Sequence, residues 1–308
     1  MGSCALLSWA FLALSPCVWG RAQYFGFYDD DVHVTGAFTN LHQAGSLTDA
    51  LQAAEYGQRS LLSVQSTFFT DNLQLRPDSE ARWKEVASQA RDLISNQTLL
   101  GFNLGDELRW NCMSQTTLEA AANAVRASFP RGQAILWYNE ASLPATKQKD
   151  SCGNSCADFR IPEALDWFSV DVYHMDGFET GWVKDNVRAF YDLYIFPNLT
   201  AQQQVMLVPG SFGSNVNHYP NGTYVCNKTC YDDMCARDAV DFFSWANADR
   251  RVAAVMPWNW GGCATCNGSR WTPPHTCCMD EIGTKDQPRS RAAWSELGRA
   301  IIAGSFTV

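Results

Sequence analysis

The stretch Leu99-Leu-Gly-Phe-Asn-Leu-Gly-Asp-Glu-Leu-Arg-Trp110 is the part of the chain that best indicates its fold and its chemistry. A short apolar run passes through Gly105 and ends on two adjacent carboxylates, Asp106 and Glu107. This pattern predicts a buried strand that delivers acidic side chains to one edge of a sheet. A carboxyl group buried beside another carboxyl group keeps its proton to higher pH, which is what a general acid requires.

Short β-rich runs alternate with helical patterns along the rest of the chain. The eight predicted strands span residues 24–28, 36–41, 60–66, 99–106, 134–140, 167–173, 204–211 and 252–260. The main helices between them are predicted at residues 47–57, 78–95, 115–129, 182–195, 231–248 and 290–303. Eight βα units in one domain, residues 23–308, predict an α/β fold of the (β/α)8 TIM-barrel type. A doubly wound open sheet is the alternative.

The beginning of the chain predicts a secretory route. Residues 1–22 are predicted to be a signal peptide, because the apolar stretch is too short to span a bilayer and Gly20-Arg21-Ala22 has a small-x-small cleavage pattern. A membrane anchor is the alternative, since no basic residue precedes the apolar stretch. Five N-glycosylation sequons support secretion, at Asn96, Asn198, Asn221, Asn227 and Asn267. We expect a secreted or lysosomal glycoprotein that is a monomer.

Cysteines outside the predicted signal peptide indicate disulfides. Ten remain, which suits an oxidising compartment, and the expected local pair is Cys152 with Cys156. The cysteines at 263, 266, 277 and 278 are expected to be bridged among themselves or to the loop at 226–235, and a zinc site there is the alternative. The cysteine-rich segments 150–160, 213–235 and 261–288 follow strand ends, so disulfides would stabilise the βα loops.

Charge and hydropathy exclude some partners. The formal net charge is -9 and the isoelectric point is about 5.0, with no basic stripe of the kind that nucleic-acid binding requires. No later segment is apolar enough for membrane insertion. No cofactor and no metal site are predicted, although Asp29-Asp30-Asp31 has the oxygen ligands that calcium prefers and is otherwise a solvated turn.

Polar and aromatic residues lie where the predicted strands end, and a barrel places all such ends on one face. Carboxylates protonate glycosidic oxygens and aromatic rings stack on sugar rings, so this set predicts a carbohydrate substrate. In chain order the set comprises Tyr28, Asp29, Asp30, Asp31, Asn40, His42, Gln65, Asp106, Glu107, Trp137, Asn139, Glu140, Asp171, Tyr173, His174, Ser211, Trp258, Asn259 and Trp260.

These residues resemble the active sites of barrel glycoside hydrolases. "Leu-Gly-Asp-Glu-Leu" at residues 104–108 is similar to the Gly-Asp-Glu signature of β-N-acetylhexosaminidases, and Tyr173 resembles a tyrosine of those enzymes and of the chitinase-like barrels. The resemblance implies that Glu107 protonates the leaving oxygen, that Asp106 orients the substrate acetamido group, and that Tyr173 holds its oxygen. It also implies that Trp258 and Trp260 form the floor of the sugar pocket.

The chain departs from those families in several ways. It lacks the additional N-terminal domain of the hexosaminidases and the Asp-x-x-Asp-x-Asp-x-Glu pattern of the chitinase-like barrels. The seventh predicted strand ends in Val-Pro-Gly-Ser, without the glutamate that two-glutamate retaining barrels use as nucleophile. Asp171 or Glu140 is then the candidate second carboxylate.

Each candidate also has a structural interpretation. Asp106 and Glu107 would cap a helix or pair with Arg109, and Glu140 would pair with Lys147 or Lys149. The histidines and the two tryptophans would be packing residues.

The sequence therefore predicts a glycosidase in which Glu107 is the general acid. Tyr28, Asp29, Trp137, Asn139, His174, Trp258, Asn259 and Trp260 would bind the substrate. A carbohydrate-binding protein without activity, or another barrel hydrolase, is the alternative. The sugar, its anomeric configuration and the endo or exo mode are left open.

Overall fold

The structure, a computed structural model, describes residues 22–173, 187–214, 228–261 and 281–304. Eight parallel strands form a nearly closed barrel, which confirms the predicted fold class. They are β1 (Tyr24–Phe25), β2 (Leu41–Ala44), β3 (Arg59–Ser63), β4 (Leu99–Asp106), β5 (Ile135–Ala141), β6 (Trp167–Asp171), β7 (Gln204–Leu207) and β9 (Val252–Val255). A separate antiparallel pair consists of β8 (Gly213–Ser214) and β10 (Glu281–Ile282).

Helices α2 (Leu47–Glu55), α4 (Ser79–Ser95), α5 (Gln115–Ser128), α8 (Lys228–Ala248) and α9 (Pro288–Ala303) lie where the sequence pattern predicts helices. Helix α7 (Val187–Phe190) lies within the predicted helix at 182–195, of which residues 182–186 are outside the described residues. The short helices α1 (Val32–Thr35), α3 (Gln65–Phe68) and α6 (Ser142–Ala145) were not predicted. Helix α7 continues as a π-helix over Tyr191–Ile195. In the described part of the chain, no helix has both the length and the apolar character needed to cross a membrane.

The order of the strands distinguishes a barrel from an open doubly wound sheet. The order is β1-β9-β7-β6-β5-β4-β3-β2, and all seven pairings in it are parallel. The first strand lies beside the last, as closure requires, whereas a doubly wound sheet reverses direction at a switch point near its centre. The carboxyl ends of the strands therefore lie on one face.

Asn40 closes the seam between β1 and β2, which have no ladder of their own. Its Oδ1 accepts a hydrogen bond from the Phe25 amide at 2.8 Å, its Nδ2 donates to the Gln23 carbonyl at 2.9 Å, and its own amide donates to the Phe25 carbonyl at 2.9 Å. Gly26 allows the two strands to approach, because a Cβ there would lie 2.2 Å from the Leu41 carbonyl oxygen.

The second predicted strand, at residues 36–41, was wrong in position. Residues 32–35 form the short helix α1, which Asp31 caps by accepting from the His33 amide at 3.1 Å, and the strand begins only at Leu41. Asn40 consequently lies at the amino end of β2 and not at the carboxyl rim. His42 lies within the strand.

Side chains inside and outside the barrel form two apolar layers. Trp137 on β5 and Trp167 on β6 point into the barrel, and their neighbours Tyr138 and Phe168 pack outward against the helices. This alternation follows the two-residue period of a strand. It determines which residues near the strand ends can reach the mouth of the barrel.

A disulfide joins the loops after β4 and β5 through Cys112 and Cys152. The predicted pair of Cys152 with Cys156 is therefore wrong, and Cys156 has a free, buried thiol. The reason is that the loop of Cys152 packs across the sheet mouth, where the Ser151 amide donates to the Trp110 carbonyl at 3.0 Å. Cysteines 226, 263, 266, 277 and 278, with the zinc alternative, lie outside the described residues, as does the predicted signal peptide apart from Ala22.

We expect Asn40→Ala to destabilise the barrel by about 1–3 kcal/mol, because the buried Phe25 amide loses its acceptor and Gln23 its donor. Asn72→Ala, on an exposed loop, is the matched control and should change stability by less than about 0.5 kcal/mol. Urea unfolding followed by tryptophan fluorescence measures both. Equal stability of the two variants would show that the seam does not depend on the Asn40 amide.

Candidate active site

The backbone leaves regular strand geometry at the end of β4. Neighbouring side chains of a strand point to opposite faces, so Asp106 and Glu107 could not both reach the barrel mouth from an extended chain. The pairing with β5 shifts register between Asn103 and Asp106, and Glu107 has a φ of 48°. Gly105 has a φ of 153°, and a Cβ there would lie 2.8 Å from Leu108. This local distortion brings both carboxyl groups to the mouth.

A chain of hydrogen bonds positions the carboxylates. The Trp137 indole Nε1 donates to Ser169 Oγ at 2.8 Å, and Ser169 Oγ donates to Asn139 Oδ1 at 2.6 Å. Asn139 Nδ2 then donates to Asp106 Oδ1 at 2.7 Å and to Asp171 Oδ1 at 2.9 Å. An indole N–H can only donate, so the direction of every later hydrogen bond in the chain is fixed. The Asn139 amide therefore presents both N–H groups to the carboxyl groups.

Glu107 and Asp171 also share a hydrogen bond between their carboxyl groups. Burial and the neighbouring charge of Asp106 raise the pKa of Glu107 to about 7, while the Asp171 contact opposes that rise. Burial, followed by Asp106 and Glu107, raises the pKa of Asp171 well above its ordinary value. Three adjacent carboxyl groups with raised pKa values retain at least one proton near neutral pH, and that proton belongs to the cluster.

Aromatic side chains surround this carboxyl cluster, defined as Asp106, Glu107 and Asp171. The rings of Tyr28 and Trp258 lie 4.9 Å apart. The Tyr28 side chain is only 4% exposed, and its hydroxyl has no hydrogen-bond partner among the described residues. Burial, with all three carboxyl groups and Tyr173, raises the pKa of Tyr28 well above its ordinary value, so its hydroxyl stays protonated.

A cleft of about 470 Å³ opens beside the cluster. Asp106, Tyr28 and Trp258 line it together with residues of the turn after β1, of β2 and β3, and of the start of α2. The full set of lining residues is Tyr28, Asp29, Asp30, His42, Gln43, Ala44, Gly45, Asp49, Ser63, Asp106 and Trp258. Two of the three predicted carboxylates of the first strand end, Asp29 and Asp30, are thus on the cleft, whereas Asp31 caps α1.

The sequence analysis missed a second polar network in the cleft wall. His42 Nδ1 lies 2.7 Å from Asp30 Oδ1, and His42 Nε2 lies 3.2 Å from Asp49 Oδ1. Thr35 Oγ1 donates to Asp30 Oδ2 at 2.7 Å. Burial lowers the pKa of His42, but Asp30 and Asp49 outweigh it, so the net shift is upward. The sequence signal was the capping box Ser46-x-x-Asp49, in which Ser46 Oγ accepts from the Asp49 amide at 3.1 Å.

Glu140 does not reach the carboxyl cluster, so the prediction that it supplies a second carboxylate is wrong. It is fully buried on the outward face of β5, where its Oε1 accepts from the Ala141 and Trp110 amides at 2.8 and 3.1 Å. Its Oε2 accepts from the Arg109 amide at 3.0 Å and from the Tyr138 hydroxyl. Burial raises the pKa of Glu140 to about 8, and these donors oppose the rise.

Four predicted substrate-binding residues are also placed elsewhere, one of them Asn139, which is 1% exposed and positions the carboxyl cluster. Trp260 is 3% exposed and packs against Phe27 and Phe38, because β9 ends at Val255 and strand alternation does not continue to residue 260. Trp137 is fully buried below the cluster, where it positions Ser169. Asn259 is 1% exposed and does not line the cleft. His174 lies outside the described residues.

Two structural alternatives for the acidic residues are also resolved. Arg109 pairs with Asp158 at 2.8 Å, so it does not neutralise Asp106 or Glu107. Among the described residues, the His, Cys, Asp and Glu side chains converge closely enough for a metal only at Cys112, Asp150 and Cys152. The two cysteines there form the disulfide, which removes them as ligands. The Asp29-Asp30-Asp31 turn is not among the groups of such side chains that converge in the described part of the chain.

Solved structures with a similar fold are glycoside hydrolases. A β-glucuronidase from an uncultured Clostridium sp. is 11% identical, with 90% of this chain covered, 50% of that chain covered and a TM-score of 0.55. Xylanase 10B from Thermotoga maritima is 12% identical over 91% of this chain and 96% of that chain, with a TM-score of 0.54. A β-galacturonidase from Eisenbergiella tayi, solved with galacturonate, is 9% identical over 91% and 51%, with a TM-score of 0.57.

These similarities establish the fold, a (β/α)8 barrel of the kind found in glycoside hydrolases. This chain spans about half the length of the glucuronidase and the galacturonidase and nearly all of the xylanase. No protein-family model matches the sequence, and no curated protein matches it significantly. Function must therefore be argued from the site itself.

We expect Glu140→Gln to lower the free energy of unfolding by about 1–3 kcal/mol. Both oxygens of the Glu140 carboxylate accept hydrogen bonds, and the substitution replaces one of them by an NH₂ group, which cannot accept. Turnover per folded molecule should change little, since Glu140 lies outside the cluster. Thermal unfolding and assay of the folded protein at a lower temperature separate the two effects. Loss of turnover comparable to that of a Glu107 variant, in a folded protein, would place Glu140 in the reaction.

Proposed function

We propose that the protein hydrolyses O-glycosidic bonds, with Glu107 as the general acid. The observation that carries the proposal is the position of Glu107 directly after β4, beside Asp171 and beside Asp106, which lines an open cleft. With a pKa near 7, Glu107 is protonated over the range in which a glycosidic oxygen needs a proton. The aromatic faces of Tyr28 and Trp258 beside it suit the apolar face of a sugar ring.

Two features favour an enzyme over a carbohydrate-binding protein without activity. Glu107 is not held in an ion pair with Arg109, which pairs with Asp158 instead. The cleft lined by Asp106 is open and holds about 470 Å³, so a sugar has room to bind beside the cluster.

The contact between Glu107 and Asp171 argues against Asp171 as the opposing carboxylate. Retaining enzymes separate their two carboxyl groups by about 5–5.5 Å and inverting enzymes by about 6.5–9.5 Å, because the sugar lies between them. Asp171 accepts from the same Asn139 amide as Asp106, so it belongs to the cluster beside Glu107 and is not set apart from it as an opposing carboxylate would be. Strand β7 is followed by Val208-Pro209-Gly210-Ser211, which offers no carboxylate. Because the ends of β6 and β7 offer no opposing carboxylate in the described part of the chain, we favour a nucleophile supplied by the substrate.

Acetamido assistance meets this requirement. The carbonyl oxygen of a 2-acetamido group would attack the anomeric carbon as the glycosidic bond breaks, and Glu107 would give its proton to the leaving oxygen. Asp106, which lines the cleft, would accept the acetamido N–H, and Tyr173 would hold the acetamido oxygen. Water would then open the cyclic intermediate while Glu107 takes back a proton. Asn139 and Asp171 position Asp106 and Glu107 for these roles.

A secretory location is part of the proposal. The Asn96 and Asn198 sequons lie on exposed surface after α4 and near the turn that precedes β7, where glycans can be attached. The Cys112–Cys152 disulfide suits an oxidising compartment. Both features support the predicted signal peptide and a carbohydrate substrate met outside the cytosol.

We expect Glu107→Gln to reduce turnover of a chromogenic glycoside by roughly 100- to 10,000-fold, because Gln keeps the shape but cannot deliver a proton. In the unmodified protein, kcat/KM should fall as the pH rises through about 7, where Glu107 loses the proton it must donate. Glu85→Gln, at an exposed position on α4, is the control and should leave both unchanged. Full activity of Glu107→Gln would refute its assignment as the acid.

The Asp106→Asn variant separates acetamido assistance from simple tuning of Glu107. If Asp106 orients the acetamido group, N-acetylhexosaminide hydrolysis should fall by roughly 100-fold or more, and plain hexosides should not be substrates of either protein. Loss of the Asp106 charge should also lower the pKa of Glu107. The fall of any remaining activity with rising pH should therefore begin at a lower pH than in the unmodified protein. Efficient cleavage of plain hexosides would instead assign Asp106 to pKa tuning alone.

A further inference from the structure

The end of β4 that carries the acids is a bulge in the sheet. Its ladder with β3 reaches Asn103, and from there to Asp106 three residues of β4 advance for two of β5. Such an irregularity leaves backbone N–H groups that the regular ladder does not satisfy. The amides of Gly105, Asp106 and Glu107 therefore need acceptors at this point, and each of them has one.

Side chains supply two of these three acceptors. The Glu107 amide donates to a backbone carbonyl of β5 at 3.0 Å. The Gly105 amide donates to Asn103 Oδ1 at 3.0 Å, and the Asp106 amide donates to Gln65 Oε1 at 3.3 Å. Two side-chain carbonyls thus complete a part of β4 that the neighbouring strands leave open. Of the two, only that of Gln65 comes from another element of the barrel.

Gln65 takes the place of a strand that ends just before it. The Val64 amide still donates to the Asn103 carbonyl at 2.9 Å, but the chain then turns into α3. The side-chain carbonyl of Gln65 accepts from Asp106 where a longer β3 would supply a backbone carbonyl. The turn of the chain after β3 and the bulge in β4 are therefore joined by this one contact.

Helix α3 and Gly105 fix the position of the Gln65 carboxamide. The Gln65 carbonyl accepts from the Phe69 amide at 2.8 Å, and the side chains of Phe68 and Phe69 are each 2% exposed within the apolar core. Gly105 leaves room on the other side, because a Cβ there would lie 3.0 Å from Gln65 Oε1. Any side chain at residue 105 would crowd the acceptor that Gln65 provides.

We propose that Gln65 is a positioning residue for the acid. Its side-chain carbonyl holds the Asp106 amide and thereby keeps the carboxyl groups of Asp106 and Glu107 together at the barrel mouth. Gln65 acts through the backbone of β4 and not on the substrate. The statement that this arrangement serves hydrolysis rests on the proposed function, whereas the positioning itself requires no substrate.

The titration of Glu107 reports whether the bulge is intact. Burial, followed by the charge of Asp106, raises the pKa of Glu107 to about 7, and the Asp171 contact opposes that rise. Tyr28, in the turn after β1, also interacts with Glu107. A bulge without its acceptor would relax towards solvent, which reduces the burial of Glu107. Because burial is the largest cause of the raised pKa, that pKa should then fall.

The test compares three Gln65 variants and a control. Gln65→Leu removes the acceptor and keeps most of the volume. Gln65→Asn keeps the amide but is one methylene too short to reach Asp106, so it serves if the Leu variant does not fold. Gln65→Glu retains an acceptor. Gln89→Leu, at an exposed position on α4, is the matched control.

Two measurements are made on each protein. Carbon-13 NMR of Glu side-chain carboxyls follows the titration of Glu107, whose signal is assigned as the one missing from Glu107→Gln. Assays with a chromogenic glycoside below pH 7 give kcat and KM separately. We expect Gln65→Leu and Gln65→Asn to move the Glu107 titration to lower pH and to reduce kcat about tenfold, with KM changed less than about threefold.

The acceptor-retaining variant and the control should behave differently. Gln65→Glu should keep kcat within about threefold, and its added charge should move the Glu107 titration to higher pH. Gln89→Leu should change neither measurement. An unchanged titration in both Gln65→Leu and Gln65→Asn, or an equal loss of kcat in Gln65→Glu, would overturn the positioning role.

The two proposals can fail separately. If the unmodified protein hydrolyses no glycoside and the Gln65 variants still shift the Glu107 titration, the proposed function is refuted and the positioning role is supported. If the protein hydrolyses glycosides and neither the titration nor kcat responds to Gln65→Leu, the positioning role alone is refuted.

Discussion

Two carboxyl groups at the mouth of the barrel, those of Asp106 and Asp171, accept hydrogen bonds from the same amide nitrogen of Asn139. Without a shared donor, two such groups would repel each other and move apart. The amide is held in turn by Ser169 and, through it, by the Trp137 indole. The arrangement requires three neighbouring strands in fixed register, since Asp106 pairs with Asn139, and Asn139 with Ser169.

This register fixes the positions of the carboxyl groups, while their protonation state can still change. The donors below the cluster set the positions of the carboxyl oxygens, whereas the proton shared by Glu107 and Asp171 responds to pH and to a bound ligand. An acid that protonates a leaving group and later recovers the proton needs this combination. The positive φ at Glu107 is the local conformational cost of placing its carboxyl beside that of Asp171.

The edges of the sheet contribute to the cleft as well as to closure of the barrel. At the amino end of β2, Asn40 joins that strand to Phe25 and Gln23. Two residues later, His42 contacts Asp30 from the turn after β1. Contacts of two side chains, Asn40 and His42, therefore join this seam in place of a regular backbone ladder. Because the second contact involves a carboxylate, closing the seam also places negative charge along the cleft.

The sequence alone determined the fold class, most of the helices and the acidic end of β4, because hydrophobic periodicity and capping residues are local signals. It also contained, unused, the alternation that places Trp137 and Asn139 inward and Glu140 outward. The exclusion of Trp260 could not be derived in this way, since it depends on where β9 ends. The Cys112–Cys152 pair joins positions 40 residues apart, and the Asp30–His42–Asp49 contacts, although closer in sequence, depend on how the turn after β1 packs against β2 and α2. Only the closed barrel, which brings distant strand ends to one face, decided these contacts and the charge of the cleft.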